Sequence, residues 1–194
     1  MKTCFRRAFI VLALFIVFCS TQQSAMAATR VYWYKKMSDG GKILYWVNSS
    51  VSYTSQIRSA EIEIEIPAAG YTNNMQLTKT STQSSSKMDF HQYTDANDTA
   101  VARTYSYRAN SSSPMVVSDK DYYDWYWCKI ELNHSKMKLY PTKQVKAIVH
   151  EMLHGYGGKD TYSSDQTASI MYGDISGSAT GVTYDANSFL NAKY

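Results

Sequence analysis

The chain has 194 residues, 44% of them hydrophobic and 14% aromatic, 17 being Tyr, with 20 Lys and Arg against 16 Asp and Glu. That is enough apolar material for one packed domain, and the charge density is too low for a disordered chain. Lys2, Arg6 and Arg7 precede an apolar run from Ala8 to Phe18 and an Ala25-Met26-Ala27 site. These are the parts of a secretory signal peptide over 1–27, which leaves a mature domain over 28–194. The apolar run is about half as long as a membrane span requires, so no membrane span is expected once the leader is removed. Phe18, where a lipobox needs a small residue, argues against lipoprotein anchoring at Cys19. Cleavage leaves 17 basic residues against 16 acidic ones and Cys128 alone, so the exported domain has no internal disulfide.

Along the mature chain, Ile43 to Val47, Met75 to Thr80, Lys87 to Tyr93, Val101 to Arg108 and Cys128 to Asn133 read as short strands. Polar stretches at Thr80 to Lys87 and Asn110 to Pro114 read as surface loops. The segment Thr54 to Ile66 is ambiguous. Glu61-Ile62-Glu63-Ile64-Glu65-Ile66 alternates as a half-buried strand does, yet Ile57, Ala60 and Ile64 fit helical spacing. Ser52 or Thr54 can cap such a helix, and Pro67 and Gly70 would end it. Val145, Ile148, Val149 and Met152 recur at i, i+3, i+4 and i+7, so Thr142 to His154 is predicted as an amphipathic helix. Thr142 is its expected cap, and Gly155, Gly157 and Gly158 mark its end. A Gly- and Ser-rich stretch follows, then a short helix over Thr183 to Ala192.

The chemistry concentrates in His150-Glu151-Met152-Leu153-His154. On a helix, residues i and i+4 share a face, so both imidazoles reach one metal ion, and Glu151 projects beside them. There it can take a proton from an activated water and pass it to a leaving amine. No Glu follows Glu151, which excludes a downstream glutamate ligand, and His91 and His134 lie upstream in strand or loop. Gly157 permits a sharp turn after the helix, and Asp160 can swing back as the third ligand, the alternative being a solvent-exposed turn acid.

His150 to Asp160 reads H-E-x-x-H-x-x-G-x-x-D. This resembles the metzincin zinc metalloproteases, with Asp where their last His usually stands, the form found in snapalysin-like secreted bacterial proteases. Ser169-Ile170-Met171-Tyr172 resembles their Met-turn, in wording closest to the matrixins. The resemblance implies an α+β fold: a twisted five-stranded, mostly parallel sheet with one antiparallel edge strand, an active-site helix and a small C-terminal subdomain. Family order makes Thr54 to Ile66 a helix. It further implies Zn²⁺ held by His150, His154 and Asp160, Glu151 as general base, and Met171 as a floor beneath the metal. A protein or peptide substrate would lie along the edge strand near Val101–Arg108, with Cys128 to Asn133 as the strand beside it. Two places depart from the matrixin pattern, since Gly173 and Ile175 replace a Pro and a Tyr that wall the substrate pocket. Tyr172 directly follows Met171, so it is not counted as a ligand. The expectation is a secreted monomeric zinc endopeptidase without nucleic-acid partners. The alternative is an exported, non-catalytic metal-binding adhesin or binding module of the same fold.

Overall fold

The computed structural model describes residues 31–68, 70–108 and 115–194. The expected leader over 1–27 and the loop from Asn110 to Pro114 lie outside the described residues. Five strands form where β-formers cluster between polar stretches: β1 (Lys42–Val47), β2 (Gln76–Lys79), β3 (Met88–Tyr93), β4 (Ala102–Tyr107) and β5 (Trp127–Asn133). They make one sheet of order β2-β1-β3-β5-β4, parallel throughout except for β4, which runs antiparallel to β5 at the edge. The fold is thus mixed α/β, with a mostly parallel sheet and one antiparallel edge.

The ambiguous segment is a helix, α1 (Thr54–Glu65). Ile57, Ala60, Glu61 and Ile64 are buried on one stripe, whereas Ile62 and Ile66 are 43% and 72% exposed. The strand-like alternation therefore leaves two of its three isoleucines in solvent, and the helical stripe wins because it fills the core. Glu61 tolerates burial because the Tyr45 hydroxyl donates to it at 2.6 Å and Arg58 pairs with it. Neither Ser52 nor Thr54 caps α1; Tyr53 stands at its N-cap without a side-chain bond. A short helix not anticipated in the sequence, α2 (His134–Met137), follows β5 and is capped by Asn133.

The amphipathic helix α3 spans Gln144–Tyr156 and is preceded by a 3₁₀ turn over Pro141–Lys143. It starts two residues later than expected, so Thr142 lies in the 3₁₀ turn and makes no cap. It also runs through Gly155, which packs against the Cys128 thiol and the Met88 methyl of the sheet. Ile148, Val149, Met152 and Leu153 are fully buried. Each such side chain is worth about 1.5–3 kcal/mol on burial, so α3 is fixed against α1 and the sheet by its apolar stripe. Beyond it comes a loop-rich segment and then α4 (Tyr184–Lys193), which buries Ala186, Asn187, Phe189 and Leu190. Among the described residues, no helix is long and apolar enough to cross a membrane.

The edge of β4 is only partly open. Tyr107 and Val116 form an antiparallel bridge, with Arg108 N donating to Met115 O at 2.9 Å and Val117 N to Ser106 O at 2.8 Å. Alternation along the strand then turns the backbone N–H and C=O of Ala102 and Thr104 toward the same outer edge as those of Ser106.

Candidate metal centre

The geometry begins at the end of α3, where four carbonyls lose their helical partners. Gly157 ends the helix with φ +117°, a conformation that side chains with a Cβ rarely adopt, and both its N–H and that of Gly158 return to Leu153 O. The indole of Trp125 donates to Gly155 O at 2.7 Å, the Tyr194 hydroxyl to Tyr156 O at 2.8 Å, and Trp33 N to Gly157 O at 2.8 Å. The turn is therefore held from three directions, and it delivers Asp160 back to the helix face.

His150, His154 and Asp160 converge there. Asp160 Oδ1 lies 3.1 Å from His150 Nε2 and 3.2 Å from His154 Nε2, and the two Nε2 atoms are 2.9 Å apart. The other ring nitrogen of each histidine faces a backbone carbonyl: His150 Nδ1 reaches Ile170 O at 2.8 Å, and His154 Nδ1 reaches Gly158 O at 2.9 Å. A carbonyl oxygen only accepts, so each Nδ1 carries the hydrogen and each neutral ring turns a bare Nε2 lone pair inward. Two lone pairs and a carboxylate oxygen thus confront one another, and Asp160 Oδ1 is buried without a donor. Three acceptors at this separation need a cation or an added proton between them. Three ligand atoms on a tetrahedral ion at 2.0–2.1 Å would stand roughly 3.3 Å apart, close to the observed triangle. The donor set fits a metal, and the carbonyls behind both rings fix their tautomer and orientation.

Met171 is fully buried and packs on the turn, not only in the general core. A Cβ added at Gly158 would fall 2.8 Å from Met171 Cε, so the thioether presses against the residue whose carbonyl holds His154. Thr161 N donates to Met171 O and Gly173 N to Thr161 O, both at 2.9 Å, tying the Ser169–Tyr172 turn to the segment that carries Asp160.

Glu151 is 7% exposed, and the Thr104 hydroxyl on β4 lies 2.7 Å from its Oε2 and 2.9 Å from its carbonyl oxygen. Thr104 escapes a reading of the sequence because nothing links residues 47 positions apart until β4 and α3 pack together. Tyr162 is a second such residue: its ring lies across Gly173 and its hydroxyl lies near the Asp160 carboxylate. The charge of Asp160, with burial, pushes the Tyr162 hydroxyl above its ordinary value. Lys146 could have been found, since it stands four residues before His150 on the same helical face. Glu151 and the three converging residues line an open cleft of about 630 Å³ bounded by β4 on one side and the segment around Gly173 and Ile175 on the other.

Protonation bears on the metal-free chain. Burial lowers the affinity of His150 for a proton, but the hydrogen bond to Asp160 and the nearby Glu151 charge outweigh it, leaving the imidazole above its ordinary 6.5. Burial pushes Asp160 up, while the two imidazoles more than reverse this and hold it well below the usual carboxylate range. The His150 contribution to stability is complete below the unfolded value near 6.5 and is lost as pH rises through the raised folded value. That of Asp160 persists until strong acid. Burial holds His91 below 6.5, a contribution of opposite sign, so in a His91→Gln background thermal melts of chelator-treated protein should show a lower Tm at pH 8.5 than at pH 6. Zinc-supplemented protein should show the opposite trend, because metal and proton compete for the same lone pairs. An identical pH trend in both samples would contradict that competition.

No protein-family model matches the chain, and no curated protein matches it.

Proposed function

We propose that the chain is an exported zinc-dependent endopeptidase of metzincin type. The observation that carries this reading is the convergence of three acceptors on one point beside a carboxylate, Glu151, inside an open cleft. Neutral imidazoles and one carboxylate suit zinc better than calcium or magnesium, which prefer all-oxygen shells. When bound, zinc supplies Lewis-acid activation that brings the pKa of water near 7.

The chain's own residues do the rest. Ala102 and Thr104 offer backbone N–H and C=O groups on the open part of the β4 edge, where an extended peptide adds as a further strand. Strand 115–117 already occupies the edge from Ser106 onward, which bounds the substrate's reach on that side. Glu151 takes the proton of the attacking water and returns it to the leaving amine. The Thr104 hydroxyl, donating to one carboxylate oxygen, fixes the direction of the other. Met171 supports the turn that carries His154's carbonyl partner and Asp160.

The test is cleavage of casein or quenched peptides by the exported protein, with its zinc content measured before and after chelation. Loss on chelation and recovery with zinc supports the peptidase. Stoichiometric zinc with no hydrolysis of any peptide would favour the non-catalytic binding module.

A further inference from the structure

Lys146 lies one turn before His150 on α3 and lines the same cleft. It is 5% exposed, and its ammonium donates to Gly177 O at 2.6 Å and Ile175 O at 3.4 Å. Lys143 donates to the same Ile175 carbonyl at 2.9 Å. Among the described residues neither lysine forms an ion pair. Asp174, the acid whose charge reaches both, is exposed and accepts from Ser176 N at 2.7 Å. The first turn of α3 has no acidic residue and no side-chain cap, so the positive end of its dipole adds to the two lysines.

A buried ammonium solvated only by carbonyl dipoles is incompletely compensated, and such groups ordinarily find a carboxylate. Burial and the neighbouring Lys143 charge both pull Lys146 below the ordinary lysine value, the signature of that missing partner. Two of its three N–H groups go to Gly177 and Ile175, and among the described residues the third has no acceptor. The four residues from Lys146 to His150 span about 6 Å of helix. An extended peptide covers that distance in about two residues.

We propose that Lys146, with Lys143 behind it, forms a carboxylate-binding subsite, and that the preferred substrates carry Asp or Glu within two residues of the scissile bond. This rests on the peptidase reading for its chemistry, though not for the binding itself. A free C-terminal carboxylate offers the same chemistry and is separated from a side chain in the test.

The experiment uses internally quenched peptides identical except for Glu or Gln flanking the cleaved bond, each with an amidated end. A further Gln peptide carries a free C-terminal carboxylate at that place. The wild type is expected to prefer Glu over Gln by about 10- to 100-fold in kcat/KM, the scale of one charge-assisted hydrogen bond. The ratio should fall to about 1 in Lys146→Met and persist in Lys146→Arg, which keeps the charge and guards against a mere folding defect. Faster cleavage of the free-carboxylate peptide than of the Glu peptide supports the subsite and assigns it to chain ends. Equal rates for the Glu, Gln and free-carboxylate peptides in the wild type, or a Glu preference that survives Lys146→Met, overturn it. Anisotropy binding of the same peptides to zinc-loaded Glu151→Gln separates the two readings. A Lys146-dependent Glu preference in binding, with no cleavage by wild type, keeps the subsite and defeats the peptidase. Indifferent binding together with indifferent cleavage defeats the subsite.

Discussion

Replacing Glu151 by Gln is expected to lower peptide hydrolysis by about 10²- to 10⁴-fold, the range a positioned general base contributes. The change removes a proton acceptor and almost nothing else. A Gln side chain has the same length, and its amide oxygen can still accept from the Thr104 hydroxyl that lies 2.7 Å from Oε2. The ligand triangle of His150, His154 and Asp160 is untouched, so zinc affinity should change far less than activity. Initial rates on a quenched peptide and a competition titration for zinc measure the two quantities on one preparation. Activity within a few-fold of wild type would remove Glu151 from the mechanism.

Asp160→Ala should act on the metal instead. It leaves two imidazoles, which are too few to hold the ion in competition with solvent or a chelator. Altering a residue that merely orients a ligand costs 10- to 100-fold in metal affinity, so deleting a ligand should exceed about 100-fold. At a zinc concentration 1,000 times the wild-type Kd, binding adds about 4 kcal/mol to the folded state. For a domain of this size that raises Tm by about 8–16 °C, at roughly 2–4 °C per kcal/mol. The variant should show at most about a third of this rise at the same zinc concentration, and chelation should abolish it in the wild type. Thermal melts with and without zinc measure it. An Asp160→Ala protein with undiminished zinc stabilisation would make Asp160 an ordinary turn acid.

What could be read in the sequence was whatever depends on near neighbours. The five strands lie within a residue or two of their expected bounds because β-branched and aromatic runs alternate with polar loops. The spacing of His150 and His154 is set by helical pitch, and the return of Asp160 depends on one residue that tolerates positive φ, Gly157. Periodicity failed at Glu61–Ile66, because alternation and helical recurrence both fit there. Only tertiary burial of Ile57, Ala60 and Ile64 decides between them. The caps fail for a related reason: Ser52, Thr54 and Thr142 are competent by type, but none makes the bond, and only the helix expected from Thr142 starts late, at Gln144. The contacts that tune the site cross the fold, as Thr104 to Glu151 and Lys146 to Gly177 do, and no local pattern announces them.

One contact in the core gives the chain a built-in clock. Cys128 is fully buried in β5, its sulfur packed where α3 carries no side chain at Gly155, and burial pushes the thiol far above its ordinary value. It is the only cysteine beyond the expected leader. A thiol reagent can reach it only when the helix bearing His150 and His154 lifts from the sheet, so the labelling rate counts those openings. A metal ion that joins this helix to the turn at Asp160 should make them rarer. Labelling measured with and without zinc would then time the motion of the helix itself, independently of any substrate.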